Sequence, residues 1–291
     1  ASKLRTRRTG VIGVVIPLGH ERRQHISDPF FMALLGCLAD ELTESGYDLM
    51  LSRAIPDENP DWLDRLTRSG MVDGVIVIGQ SNQFDTIEKA ARGYPNMVVW
   101  GSYRDGQRHL VVGTDNRAGG RMAAKRLVDG GARRLAFLGD TAGIEIAERL
   151  AGLREVAQPA QLPVLHLPCH LSDETMESEL RSQLAQHGPE IDGIVAASDL
   201  IAMTAMKVLH EQGRAIPRDI QIVGFDDLPL AAQTMPPLTT IRQDIARGAE
   251  ALAERVRASI EGASVSSLVM EPILVEDVPL GSWYRLGLAH D

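Results

Sequence analysis

The sequence predicts an α/β protein built on parallel sheets, and three observations carry that prediction. Short runs rich in Val, Ile and Leu recur along most of the 291 residues. These runs lack polar alternation, which is how strands covered by helices on both faces read. The longer stretches between them are amphipathic and carry helix start and stop signals. A chain of this length also exceeds one ordinary small domain and fits two of common size.

The strands are expected, in order, at 11–16 (VIGVVI), 47–51 (YDLML), 74–78 (GVIVI), 96–100 (NMVVW), 110–114 (LVVGT), 134–139 (RLAFLG), 162–167 (LPVLHL), 193–197 (GIVAA) and 220–225 (IQIVGF). The first helix is predicted from Asp28, which can cap it, and Pro29, which suits the first helical position. Phe30, Leu34, Leu38 and Leu42 then repeat on one face, and Gly46 supplies the stop. A helix from Asp115 to Gly130-Gly131 and another from Ser198 to Gly213 follow the same logic. The pattern changes at PPLTTIRQD (236–244), where the Pro-Pro pair forbids a helix and a short extended segment follows. A long helix runs from about Asp244 to Gly262, with Ile245, Ala249, Leu252, Val256 and Ile260 on one stripe, before a final strand in SLVMEPILVED.

Composition narrows the function classes. Hydrophobic residues make up 44% of the chain, enough for a packed core. The net charge of -9 repels nucleic acid and anionic membrane unless a basic patch is set apart. Such a patch opens the chain, where Lys3, Arg5, Arg7 and Arg8 stand with no acid among them. Cys37 and Cys169 have no neighbouring thiol, so they read as packing residues of a reducing, cytoplasmic setting rather than a metal or redox motif. No apolar run approaches ~18 residues, so no transmembrane helix is expected, and the start lacks the apolar core of a secretory signal.

In open parallel sheets small molecules bind beyond the carboxyl ends of the strands. The loops expected there are rich in Asp, Asn, Ser, Arg and aromatics. They hold no Gly-rich phosphate loop, no G-x-S-x-G nucleophile turn and no His pair at metal spacing. What remains suits a polar neutral ligand: carboxylates accept from hydroxyls, an arginine fork donates, and aromatic faces cover C–H surfaces. Each candidate also has a plain structural role. Asp28 and Asp199 are natural helix caps, Arg149 an exposed helix arginine, Asp226-Asp227 turn residues, and Trp100 a core residue ending a strand. Their grouping at one edge is the signal.

These segments resemble the LacI-type transcriptional regulators. The marks are TGVIGVVIP, DPFF before the first helix, GTDNRAGGRMAAKRLVDGGARRLAFLGD, RLAGL, AASDLIAMTAMKVLHEQG and IPRDIQIVGFDDLPLAAQTMPPLTTIRQD. The resemblance spans almost the whole chain. It implies a periplasmic-binding-protein-like fold, with two similar parallel-sheet subdomains around a cleft joined by three crossing strands. On this chain the crossings would fall near 131–134, 240–244 and 263–268. Residues 1–9 would be a hinge remnant. The N-terminal subdomain would be 10–132 plus 243–265, and the C-terminal subdomain 133–242 plus 266–291.

The resemblance also implies a role and a site. The role is the effector-binding and dimerisation core of a regulator, a repressor that binds a sugar-like effector, acts on operator DNA as a homodimer, and needs neither catalysis nor cofactor. SKLRTRRTG resembles the family's hinge, so the chain is expected to be a fragment without its helix-turn-helix head. Leu4 matches the leucine that wedges into the minor groove, with Lys3 and Arg5 flanking it near phosphates. Asp28, Phe30, Arg149, Ser198, Asp199 and Asp226 match ligand-binding positions. This chain departs from the family in an extra basic loop, GHERRQH, in Glu145 where a small polar residue is common, and in Leu171 where an aromatic often stacks on ligand. Trp100 is the candidate to replace that aromatic. The rival with the same fold is a sugar-binding protein of a transporter, against which the hinge-like leader and PPLTTIRQD both argue.

Overall fold

The computed structural model describes residues 8–18, 26–170 and 175–276. Lys3, Leu4 and Arg5, the GHERRQH loop and Leu171 lie outside the described residues. In chain order the elements are β1 (Val11–Pro17), α1 (Pro29–Glu44), β2 (Asp48–Ala54), α2 (Trp62–Arg68), β3 (Gly74–Ile78), α3 (Phe84–Ala91), β4 (Met97–Trp100) and β5 (Leu110–Thr114). The chain continues through α4 (Asn116–Asp129), β6 (Leu135–Leu138), α5 (Ile144–Ala157), β7 (Val164–Leu167), α6 (Met176–His187), β8 (Gly193–Ala196) and α7 (Asp199–Glu211). It ends with β9 (Gln221–Asp226), β10 (Thr239–Arg242), α8 (Ile245–Ile260), β11 (Leu268–Met270) and β12 (Ile273–Val275).

The described residues form two compact units, each around one six-stranded sheet. The first comprises the residues up to Asp115, Ala142–Glu145 and Asp244–Met270; the second comprises Asn116–Thr141, Ile146–Gln243 and the residues from Glu271. The sheets share one winding. The first runs β2-β1-β3-β4-β5-β11 and the second β7-β6-β8-β9-β10-β12. Within each sheet the paired strands are parallel, except that β12 runs antiparallel to β10.

Covering both faces of the first sheet explains its unbroken apolar strands. Ile12, Val14, Ile16, Ile76, Ile78, Val98 and Val112 pack with α1 and α8. The alternate residues Val15, Val75, Val77, Val99 and Val111 pack with α2 and α3. Helix α1 begins where the sequence predicts: the Asp28 carboxylate accepts from the Phe30 N–H at 2.8 Å, Pro29 takes the first position, and Leu34, Leu38 and Leu42 are buried. In the second unit Phe137, Leu153, Ile194, Ile201, Val223 and Phe225 belong to one continuous core.

Two boundaries differ from the sequence expectation. The first passage between units falls at 115/116 rather than near 132. The buried Ala123, Ala124 and Leu127 of α4 pack into the second core, against β8, β9 and β10, so the helix goes with that unit. The final strand is two strands. β11 pairs with β5 in the first sheet and β12 with β10 in the second, with Glu271-Pro272 between them. Proline has no N–H for a ladder, so the break falls there naturally. Among the described residues no helix is long and apolar enough to cross a membrane.

Candidate functional site

At the carboxyl ends of its strands the second unit gathers a buried polar cluster, and two glycines build its frame. Helices α4 and α5 meet backbone to backbone. A Cβ at Gly120 would lie 2.1 Å from the Arg149 carbonyl oxygen, and one at Gly152 would lie 2.1 Å from that of Arg117. Only glycine permits that approach. It presents the Arg149 side chain to the sheet edge, where its Nε donates to Asn116 Oδ1 at 2.8 Å and its Nη1 to the Ala197 carbonyl at 2.5 Å. The guanidinium carbon lies over the Phe225 ring, 3.7 Å from its centroid. A guanidinium on an aromatic face gains about 0.5–2 kcal/mol, more when desolvated. Arg149 is 7% exposed, so it is not the solvated helix arginine that its sequence position also allowed.

The GFDD turn ends β9 beside this arginine. Asp226 has φ +122° and Asp227 φ +60°, both in the region that favours glycine. Such conformations cost about 1–3 kcal/mol each in a non-glycine residue and persist only where the surroundings over-determine them. Here they are over-determined. Asp226 Oδ1 accepts from Gln243 Nε2 at 2.7 Å, and its carbonyl from the Gln243 N–H at 3.4 Å. Asp227 Oδ2 accepts from Arg242 Nε at 2.5 Å.

Beneath the turn lies Asp199, with 0% exposure. Its two carboxylate oxygens accept from the Thr240 hydroxyl at 2.5 Å and the Leu228 N–H at 2.8 Å. The Thr240 oxygen in turn accepts from the Asp227 N–H at 3.4 Å. Gly224 makes the room: a Cβ there would lie 2.3 Å from Asp199 Oδ1. Burial, reinforced by the nearby Asp227 charge, raises the Asp199 carboxyl to about 6, against the hydrogen bonds it accepts. Ser198 caps α7, its hydroxyl accepting from the Ile201 N–H at 3.3 Å.

The first unit carries its own polar group at its strand ends. Gln80, just after β3, accepts from the Ser102 N–H at 3.1 Å, which aims its amide nitrogen at His109 Nε2, 3.0 Å away. The imidazole therefore accepts there and donates from Nδ1 to Glu88 Oε1 at 2.5 Å. Burial lowers the His109 pKa against the pull of Glu88, which agrees with a neutral ring. Phe30 is half-buried, its ring 5.8 Å from that of Trp100. Trp100 itself lies down on α8, where a Cβ at Gly248 would meet its ring at 2.2 Å. Among the described residues no group of three or more His, Cys, Asp or Glu is placed to hold a metal.

Comparison with known proteins gives the same answer from two directions. The family model described as "Periplasmic binding protein-like domain" matches residues 124–276. The ribose operon repressor of Halalkalibacterium halodurans is 32% identical over 248 residues, covering 84% of this chain and 71% of that protein. The chain belongs to the LacI-type transcriptional regulators. A solved structure of the transcriptional regulator CelR in complex with cellobiose superposes on this regulator core with TM-score 0.79 at 27% identity, covering 93% of this chain and 84% of that one. A periplasmic binding protein/LacI transcriptional regulator from Alkaliphilus metalliredigens, complexed with D-xylulofuranose, gives TM-score 0.76 at 25% identity, covering 92% of this chain and 97% of that one.

The protein is thus the effector-binding core of a transcriptional regulator, and its fold sorts the sequence candidates. Arg149, Ser198 and Asp226 meet at one edge of the second sheet. Asp199 is there too, with both its oxygens accepting bonds from beneath the turn. In the first unit Asp28 caps α1, Phe30 is half-buried, and Trp100 is buried with its ring near that of Phe30. Asn116, Thr240, Gln243 and Phe225 were not singled out from the sequence, nor was the Gln80–His109–Glu88 group. NRAGG and TTIRQD held a signal for the first three, since both set polar residues against glycine or β-branched residues at an element end.

Proposed function

We propose that this regulator core senses a carbohydrate. The observation that carries it is the Arg149 fork, held over the Phe225 ring beside the strained, buried Asp226. Together they supply a fixed donor set and an acceptor of opposite charge at one strand edge, the pairing that recognises hydroxyl groups. Ser198, next to the Ala197 whose carbonyl accepts from Arg149, lies at the same edge. The names of the relatives support the class: a ribose operon repressor, a cellobiose complex and a ketopentose complex. On this reading the protein is a cytoplasmic repressor that acts as a homodimer on operator DNA, and it performs no catalysis. The names of the ribose operon repressor and of CelR, both regulators, favour this reading over a solute-binding protein of a transporter.

The test is a thermal-shift and calorimetric screen against ribose, cellobiose, other mono- and disaccharides, polyols and purines. A ligand that binds only the folded state raises Tm in a concentration-dependent way. A sugar is expected to do so, with affinity reduced at least about tenfold in Arg149→Ala or Asp226→Ala, the scale of losing a charged hydrogen bond. A purine hit would overturn the carbohydrate class. Sugar binding unchanged in both variants would overturn the site.

A further inference from the structure

Resting on that reading of Arg149 and Asp226, we propose that Asn116 and Gln243 are positioning residues for this effector-reading pair, and tie it to the points where the chain enters and leaves the second unit. Asn116 is the first residue of that stretch of the unit, and Gln243 the last before the chain returns to the first. Both are polar, yet only 2% and 4% exposed. Asn116 accepts from Arg149 Nε at 2.8 Å, and Gln243 donates to Asp226 Oδ1 at 2.7 Å. Each reader is therefore aimed by the residue at one passage of the chain.

The chemistry of the partners fits this role. A carboxylate at 116 would neutralise Arg149, and a cation at 243 would neutralise Asp226. A neutral amide orients each reader without adding a counter-charge of its own. Gln243 also donates its backbone N–H to the Asp226 carbonyl at 3.4 Å, so side chain and backbone at 243 are both bonded to the reader's residue. A ligand that pulls on either reader thus acts on the connecting backbone through one hydrogen bond. That is a physical link of the kind that effector control of a two-unit regulator needs.

The experiment uses the whole chain in two arms. The first needs no ligand. The Arg149 Nε–H resonance, assigned by its loss in Arg149→Lys, is followed by NMR, together with the Gln243 side-chain amide signals. The expected result is a slowly exchanging Arg149 signal that persists in Asn116→Asp, which keeps the acceptor, and exchanges at least tenfold faster in Asn116→Ala. The Gln243 amide signals are expected to shift in Asp226→Ala. An Arg149 signal unaffected by Asn116→Ala, or Gln243 signals unaffected by Asp226→Ala, overturns the proposal.

The second arm titrates ribose and cellobiose between pH 5.5 and 8. Gln243→Glu sets a carboxylate against Asp226, and like charges sharing a site resist double ionisation. Its affinity relative to the parent is expected to fall at least tenfold as pH rises across this range, with the parent's unfolding midpoint preserved to within a few degrees at pH 5.5. A ratio independent of pH overturns the Gln243 assignment. If neither sugar binds the parent chain, these sugars fail as effectors and the NMR arm alone decides the positioning.

Discussion

Replacing Gly120 by alanine tests how the site is built. By helix propensity alone the change should stabilise α4 by about 1 kcal/mol. The structure says otherwise, because the new Cβ would meet the Arg149 carbonyl oxygen at 2.1 Å, its carbonyl carbon at 2.8 Å and its Cα at 3.0 Å. A carbon–oxygen contact relaxes at about 3.3 Å, so α4 and α5 must part by about 1.2 Å. The neighbour is backbone and cannot swing aside. Overpacking of this kind costs about 1–3 kcal/mol, and weakening a buried charged hydrogen bond costs a further ~1.5–3 kcal/mol. With the propensity gain set against these, the expected net loss is roughly 1.5–5 kcal/mol, read from urea unfolding followed by circular dichroism. Effector affinity should fall at least tenfold, since a shift of that size stretches the Arg149 bonds to Asn116 and Ala197. Gly36→Ala in α1 is the control: nothing lies within 4 Å of its Cβ, so it should gain about 0.5–1 kcal/mol. A Gly120→Ala protein as stable as its parent, with unchanged affinity, would refute the argument that this close approach places Arg149.

The strain at Asp226 predicts an inverted ranking: both Asp226→Gly and Asp226→Ala lose the carboxylate, but the glycine variant should be the more stable by about 1 kcal/mol in urea, because φ +122° suits only glycine. The raised Asp199 pKa means the folded state binds this proton more tightly than the unfolded chain. Its stabilising contribution is therefore full below the ordinary 3.8 and lost as pH rises through about 6. The parent should lose stability relative to Asp199→Asn over that interval in pH-resolved unfolding, and a parent that instead gained on the variant would contradict the burial argument. His109 acts with the opposite sign: burial depresses its pKa below 6.5, so its contribution is present above that value and lost as pH falls. His109→Gln should flatten the parent's loss of stability on acidification below 6.5, and an unchanged slope would mean the imidazole is charged in the fold.

The strands and the principal helices were legible because they carry periodic or continuous apolar signals, and the carboxyl-edge rule then pointed to Arg149 and Asp226. What was not legible has a common physical cause. A single buried hydrogen bond leaves no period in a sequence, so Asn116, Gln243 and Gln80 looked like ordinary polar residues. Trp100 could be read either way, because strand alternation gives the parity of a residue but not which of two apolar faces it enters. The resemblance put the first passage near 131–134, whereas the apolar stripe Ala123–Ala124–Leu127 commits that helix to the second core and the passage falls at 115/116.

Asp199 shows why a regulator keeps a costly group. A fully buried carboxylate next to Asp227 opposes folding at neutral pH, and an apolar residue of similar size would often be the more stable choice in such a place. Yet its two oxygens hold the Leu228 N–H and the Thr240 hydroxyl, and Thr240 receives the Asp227 N–H. These bonds bracket Asp227, the second of the two residues with positive φ, while Gln243 holds the first. Without acceptors at those points, Asp226-Asp227 would relax toward ordinary backbone and swing the Asp226 carboxylate away from Arg149's strand edge. Gly224, which leaves room for the Asp199 carboxylate, and the φ +122° of Asp226 are thus two parts of one device: stability is surrendered beneath the turn so that an acidic reader is held in a conformation it would not otherwise adopt.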